Sequence, residues 1–382
     1  MIYLDYSATT PVHPEVLQTF NKVNEELFAN PDSLHNFGGK VATLLQKAKE
    51  ATAKLLHVQP QELIFTSGAT EANNLAIRGI AFANRQRGNH IITTMIEHPS
   101  VYDTLKQLEQ HFGFEVTYLP VDHLGQVRPE AVAAAIRSTT ILVSVMAVNN
   151  EVGTIQPIEA IGKILGNYPK IYFHVDAVQA IGKLPLNIKQ AQIDLLSCSA
   201  HKIYGLKGSG ILYKRQGVNL LPLQTGGSQE EGYRAGTPNV AANVAFAKTL
   251  RLALDNQSQK LTKVQELNKF LRLALQEQLP DVVINSPLLE GSPYILNISF
   301  PPLRPEVIVH GLDAKEIYIS TRSACSSKDT KASRILTAMH LPDAVVSSGV
   351  RISLSHETTQ EQLAEFVNEL ETVVVQMRKV VK

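Results

Sequence analysis

Ser199-Ala200-His201-Lys202-Ile203-Tyr204-Gly205 is the stretch on which the reading of this chain turns. The segment Ile193 to Leu196 leads into it, and Gly205, Gly208 and Gly210 follow. That pattern predicts a buried strand ending in a tight, polar turn. A lysine carried to the end of a buried strand is unusual, because desolvation disfavours its ammonium and lowers its pKa. An amine so lowered is nucleophilic, as Schiff-base chemistry with a carbonyl compound requires. The alternative is a lysine that merely snorkels to the surface. The rest of the chain decides between them.

Upstream, short β-branched runs alternate with helical patterns. Strands are predicted at Leu63–Thr66, Ile91–Thr94, Glu115–Leu119, Ile141–Val148, Ile171–Val175, Leu195–Ser199 and Gly210–Tyr213. Helices are predicted at Glu71–Gln86, Val101–His111, Pro129–Ile136 and Pro157–Leu165, and an amphipathic one from Val41 to Leu56. This alternation predicts an α/β fold with a largely parallel seven-stranded sheet covered on both faces. Downstream the character changes. Asn239 to Leu279 reads as one or two long helices, with a break around Asp255-Asn256. Strand-like Val282–Ile284, Ile295–Phe300, Ile317–Ser320 and Val350–Leu354 follow, and a final helix opens with a capping-box pattern, Thr358-x-x-Glu361. Pro287–Pro293 and Pro301–Pro305 read as loops. The tail predicts a smaller α/β domain.

With 382 residues, the chain exceeds what one core ordinarily covers. A net charge of +1 gives no electrostatic case for direct binding of nucleic acid or an acidic membrane. Two cysteines, Cys198 and Cys325, are too few for a disulfide framework and lack zinc-site spacing. The opening Met1-Ile2-Tyr3-Leu4-Asp5 does not read as a signal peptide, and the apolar run Ile141–Val148 is too short to span a bilayer. A soluble protein of the reducing cytoplasm is the expectation.

In an open α/β sheet, ligands sit at the carboxyl ends of the strands, so the residues there carry the chemistry. Ser67-Gly68-Ala69-Thr70-Glu71 is a small-residue turn opening a helix, either a phosphate cradle or a plain N-cap. His98 stands at a strand-to-helix junction, as acid/base, stacking platform or capped loop residue. Asn149 and Asn150 can hydrogen-bond a phenolic oxygen or only shape the turn. Asp176, an acid at a buried strand end, needs a cationic partner, which a pyridinium nitrogen would supply. Cradle, amides, acid and lysine, in this order along the strand ends, are what pyridoxal 5′-phosphate requires.

The chain resembles the cysteine desulfurases of the NifS/IscS kind, within the class V aminotransferase group of fold-type I pyridoxal-phosphate enzymes. The resemblance runs nearly end to end. It is carried by Tyr3–Pro11, Asn30–His35, Ser67–Asn74, Glu97-His98, Asn149–Gly153, His174–Gln179, Ser199–Gly205, Gly226–Asn239, Ser323–Ser327 and Arg351–Leu354. It implies that Lys202 binds the cofactor covalently and then acts as base at the substrate α-carbon. It implies that Asp176 pairs with the pyridine nitrogen, that His98 stacks on the ring, and that Asn150 and Gln179 face the ring oxygen or substrate. Ala69, Thr70, Ser199 and His201 would bind the phosphate, joined by Thr237 from a partner subunit of a homodimer. Arg351 would hold the substrate carboxylate, a task suited to a bidentate guanidinium.

Cys325 separates the desulfurases from their cousins. It lies among serines and an alanine, followed by Lys328, Asp329, Thr330 and Lys331, a composition for a mobile, solvated loop. Nearby cations lower a thiol's pKa. The resemblance assigns it the attack on the sulfur of cofactor-bound L-cysteine, leaving a persulfide and releasing alanine. The other reading is an incidental surface thiol. Cys198, in the strand before Lys202, reads as core. The sulfur would pass to an acceptor protein, an iron–sulfur scaffold or a tRNA thiolation enzyme.

Residues 15–255 are expected to form the large cofactor-binding domain, and residues 1–14 with 256–382 the small one, carrying the cysteine loop at about 322–333. Ser228 and Glu231 stand where relatives commonly have glycine and arginine, and Ser355-His356 where they often have Gly-Arg. The competing readings are another class V aminotransferase or C–S lyase, and a catalytically idle platform for partner proteins.

Overall fold

A computed structural model describes residues 1–321 and 332–381. In chain order its elements are β1 (Ile2–Tyr3), α1 (Pro14–Glu26), α2 (Asn36–Leu56), β2 (Leu63–Thr66), α3 (Ala69–Asn84), β3 (His90–Thr94), α4 (Pro99–Phe112) and β4 (Glu115–Leu119). There follow α5 (Pro129–Ala135), β5 (Thr140–Met146), α6 (Ile158–Leu165), β6 (Tyr172–Asp176), β7 (Leu195–Ser199), β8 (Gly210–Lys214), α7 (Val240–Leu254) and α8 (Gln257–Gln278). The remainder is β9 (Val283–Ile284), β10 (Ile295–Ser299), α9 (Pro305–Asp313), β11 (Ile317–Tyr318), α10 (Arg334–Ala338), α11 (Asp343–Val346), β12 (Gly349–Ser353) and α12 (Gln360–Val381).

The main sheet has seven strands in the order β2-β8-β7-β6-β5-β3-β4, and only β8 runs antiparallel to its neighbours. Its central strands are buried from end to end, which is why they read as unbroken apolar runs. Chain order reverses between β3 and β5, opening the crevice in which such sheets bind ligands. Met146, Asp176 and Ser197 stand side by side in register across β5, β6 and β7. The carboxyl ends of these strands therefore present their loops to one place.

A three-stranded antiparallel sheet, β12-β10-β9, lies downstream, and β1 pairs with β11. Asp5 bridges Ser353 of β12, so the first residues are stitched to this second sheet.

The break around Asp255-Asn256 is present: Asn256 adopts a left-handed φ of 54° and divides α7 from α8. The final helix is capped one residue later than expected. Thr359 Oγ1 accepts from the N–H of Gln362, and Gln362 Oε1 accepts from the N–H of Thr359, while Thr358 Oγ1 accepts from the N–H of Ser355. Pro305 is not a loop residue; it opens α9, where its missing N–H costs nothing. The helix α1 carried no signal, because only Val16 and Val23 of its thirteen residues are buried. No helix among the described residues is long and apolar enough to cross a membrane.

Candidate active site

A cavity of about 390 Å³ opens at the carboxyl ends of the sheet strands, within the size range of small-molecule sites (roughly 300–1,000 Å³). It gathers Ala69, Thr70, His98, Asn150 and Asp176 with Gln179, Ser199, His201, Lys202 and Arg351. Thr237 is exposed and lies outside it, near Gln229 and Arg234. Cys325 lies outside the described residues.

At the start of α3, Gly68 is the N-cap with φ 141°, a conformation that favours glycine, and it supplies no side-chain cap. The N–H groups of the first helical turn are thus left without intrahelical acceptors and aimed at the cavity mouth. Gly210 lets β8 approach this turn: a Cβ there would stand 2.6 Å from the Cα of Gly68. Glu71, an acid in the first turn, would repel an anion, but its carboxylate is taken by the N–H of Ser67 at 2.7 Å and by Arg234 Nε at 2.9 Å.

Asp176 ends β6 and is buried. Its Oδ1 accepts from the N–H of Val178 at 3.1 Å and its Oδ2 from Asn73 Nδ2 at 2.9 Å. Among the described residues it makes no ion pair. Lys202 ends a short turn after β7, and its Nζ donates to the carbonyls of Ser7 at 2.5 Å and Ala8 at 2.7 Å. Gln179 Nε2 also donates to the carbonyl of Ser7, at 3.1 Å, and its Oε1 accepts from Lys183 Nζ at 2.8 Å. Burial lowers the pKa of Lys183 to about 7, helped by the charges of Lys202 and Arg351.

The two adjacent amides divide the labour left open by the sequence. Asn149 shapes the turn: its Oδ1 accepts from the N–H groups of Glu151 and Val152. Asn150 lines the cavity, and its carbonyl accepts from Arg351 Nη1 at 2.9 Å. Arg351 is fully buried, pairs with Asp5, and keeps a buried Nε without a hydrogen-bond partner among the described residues. His201 Nδ1 lies 3.2 Å from Thr9 Oγ1, and burial together with Lys202, Lys207 and Lys183 pushes its pKa down to about 4.

His98 caps α4, and burial holds its pKa below the usual imidazole value against the pull of Asp176. Two residues that the sequence did not single out tie it to Asp176. Asn73 Nδ2 lies 2.9 Å from Ser100 Oγ, which lies 2.8 Å from His98 Nδ1. Asn73 sits on the inward face of α3, where an amide reads as a core residue, and Ser100 as an ordinary helix-start residue; only the fold brings them together. Cys198 is buried and its thiol is pushed up to about 12, chiefly by burial, so it is inert. Among the described residues no group of side chains could hold a metal ion.

Two of the departures from the family pattern, Ser355 and His356, have structural partners. Ser355 Oγ accepts from the N–H of Glu357 and contacts the Tyr204 hydroxyl, and the His356 ring packs edge-on to Tyr204 at 5.2 Å. Both line a separate cavity of about 310 Å³ behind Lys202.

The family model for class-V aminotransferases matches residues 2–366. The NifS/IcsS protein homolog of Lactobacillus delbrueckii is 44% identical over 382 residues, covering 100% of this chain and 99% of its own length. The cysteine desulfurase IscS of Dictyoglomus turgidum is 42% identical, covering 99% of this chain and 96% of its own length. A solved NifS-like protein superposes with a TM-score of 0.92 at 37% identity, covering 98% of this chain and 99% of that one. The chain therefore belongs to the class-V aminotransferases and, within them, to the NifS/IscS cysteine desulfurases.

Proposed function

We propose that this protein removes sulfur from L-cysteine, releases L-alanine, and holds the sulfur as a persulfide on Cys325 for transfer to an acceptor protein. The observation that carries the reading is the convergence of Lys202 Nζ, the buried Asp176 carboxylate and the uncapped start of α3 on one cavity.

These residues fit pyridoxal 5′-phosphate: Asp176 is a buried acid without an ion pair among the described residues, and the first turn of α3 is a cradle that Gly68 and Gly210 keep open. The cofactor, when bound, supplies an aldehyde for the substrate amine and a ring that takes up the electron pair released at the α-carbon. Asp176 would keep the ring nitrogen protonated, and His98 would pack on the ring face. The N–H groups at Ala69 and Thr70, with Ser199 and His201, would hold the phosphate, and Thr237 would complete that site in a partner subunit of a homodimer. Lys202 would anchor the cofactor and then move the α-proton. Asn150 and Gln179 would orient ring and substrate, and the Nε of Arg351, without a partner among the described residues, fits a role in holding the substrate carboxylate. The Cys325 thiolate would then take the sulfur: an S–S bond forms, the substrate C–S bond breaks, and the carbon keeps the electron pair and is protonated.

Residues 15–255 would make up the cofactor-binding domain, and residues 1–14 with 256–382 the domain that delivers Cys325. The acceptor would be an iron–sulfur scaffold or a tRNA thiolation enzyme of the cytoplasm. The test is product analysis of purified protein with pyridoxal phosphate, reductant and L-cysteine. Equal alanine and sulfide, both abolished by Lys202→Ala, support the reading; pyruvate and ammonia in place of alanine would identify a C–S lyase instead.

A further inference from the structure

The contacts around His98 determine which of its nitrogens carries the proton. The Asn73 amide turns its NH2 toward Asp176 and donates to Oδ2 at 2.9 Å. The same NH2 donates to Ser100 Oγ at 2.9 Å. With an acceptor position of that hydroxyl filled, its hydrogen is free to reach His98 Nδ1 at 2.8 Å. The backbone N–H of Ser100 also points at Nδ1, at 3.2 Å, and this donor cannot be reversed. Nδ1 is therefore the acceptor, and the ring proton sits on Nε2. Protonating Nδ1 would set one N–H against another.

We propose that Asn73 and Ser100 are positioning residues that lock His98 as the neutral Nε2–H tautomer, so that it serves the cavity as a hydrogen donor and not as a base. The charges facing the ring come from several elements: Asp176 from β6, Lys202 from the turn after β7, Asp103 from α4 and Arg334 from α10. Asp176 alone bonds to the relay, through Asn73. In the desulfurase reading, on which the catalytic meaning rests, this leaves proton abstraction to Lys202 and gives His98 the donor role. The tautomer itself does not depend on that reading.

The test is nitrogen NMR of protein labelled with 15N-histidine, first without cofactor or substrate, the His98 signals being assigned with His98→Gln. Wild type is expected in the Nε2–H form at pH 8, where the imidazole is neutral. Ser100→Ala removes one neutral hydrogen bond, so the Nδ1–H share should rise about tenfold, and Ser100→Thr should restore the wild-type ratio. In assays of alanine release, Ser100→Ala should also move the acid limb of the pH profile upward, because the imidazolium is no longer opposed by the hydroxyl. A wild-type ring protonated on Nδ1, or a ratio unchanged in Ser100→Ala, overturns the proposal. If Ser100→Ala fails to fold, the wild-type spectrum alone decides. Failure of the desulfurase reading would show only in the products, leaving the tautomer in place.

Discussion

Arg351 Nη2 lies 2.8 Å from Asp5 Oδ1, with the arginine 1% exposed, and this pair joins the first residues of the chain to β12. A guanidinium this deep needs its counter-charge, because removing one partner leaves the other buried and unpaired. Asp5→Ala should cost about 3 kcal/mol, read as a lowered urea midpoint, and should raise KM for L-cysteine as Arg351 loses its orientation. An unchanged midpoint would show that the pair is dispensable.

Glu97, completely buried beside His98, accepts from the Thr94 hydroxyl and the N–H of Met146 through Oε1, while Oε2 has no partner among the described residues. Burial pushes its pKa up to about 8, so the folded state holds a proton that the unfolded chain releases near pH 4.5. Between these values the folded state binds more protons, and stability from this group falls as pH rises. Glu97→Gln should therefore gain stability relative to wild type as pH goes from 5 to 8, with the two equal near pH 4. Melting temperatures of both proteins across that range check the slope; parallel curves would contradict it.

Gly210 keeps β8 against the phosphate-facing turn. A Cβ at Gly210 would stand 2.6 Å from both the Cα of Gly68 and the carbonyl oxygen of Cys198, and neither backbone can yield cheaply. Gly210→Ala should destabilise the protein by about 1–3 kcal/mol and weaken pyridoxal phosphate binding more than tenfold in an absorbance titration. Undiminished affinity would mean that the cradle lies elsewhere.

Cys198 is a buried sheet residue in β7. Its thiol is 1% exposed and held in the protonated form. Cys198→Ala should retain full desulfurase activity, and a thiol reagent should label native wild-type protein at Cys325 only. Loss of activity in Cys198→Ala would move the sulfur-transfer role to the sheet.

Much of this architecture is legible in the residues. Strands such as Glu115–Leu119 and Leu195–Ser199 have the boundaries their patterns predict, because β-branched or apolar runs flanked by turn residues leave little choice. The strand-end residues from Ala69 to Lys202 converge because parallel strands must present the same ends to the same edge. The illegible parts share a cause, which is that local signals do not carry distance. Asp5 and Arg351 are 346 positions apart, and Asn73 and Asp176 are 103 apart. Thr358 and Thr359 offered the helix two hydroxyls in succession, and only the way Ser355 turns the chain assigns the cap to the second.

The central claim is that sulfur leaves L-cysteine by way of Cys325, and mass spectrometry of that residue tests it most directly. Protein loaded with pyridoxal phosphate is given L-cysteine without reductant, quenched, and digested. The account predicts a Cys325 peptide heavier by one sulfur atom, with one alanine released per sulfur bound, and neither product from Cys325→Ala. A Cys325 peptide of unaltered mass alongside continuing alanine release would contradict it.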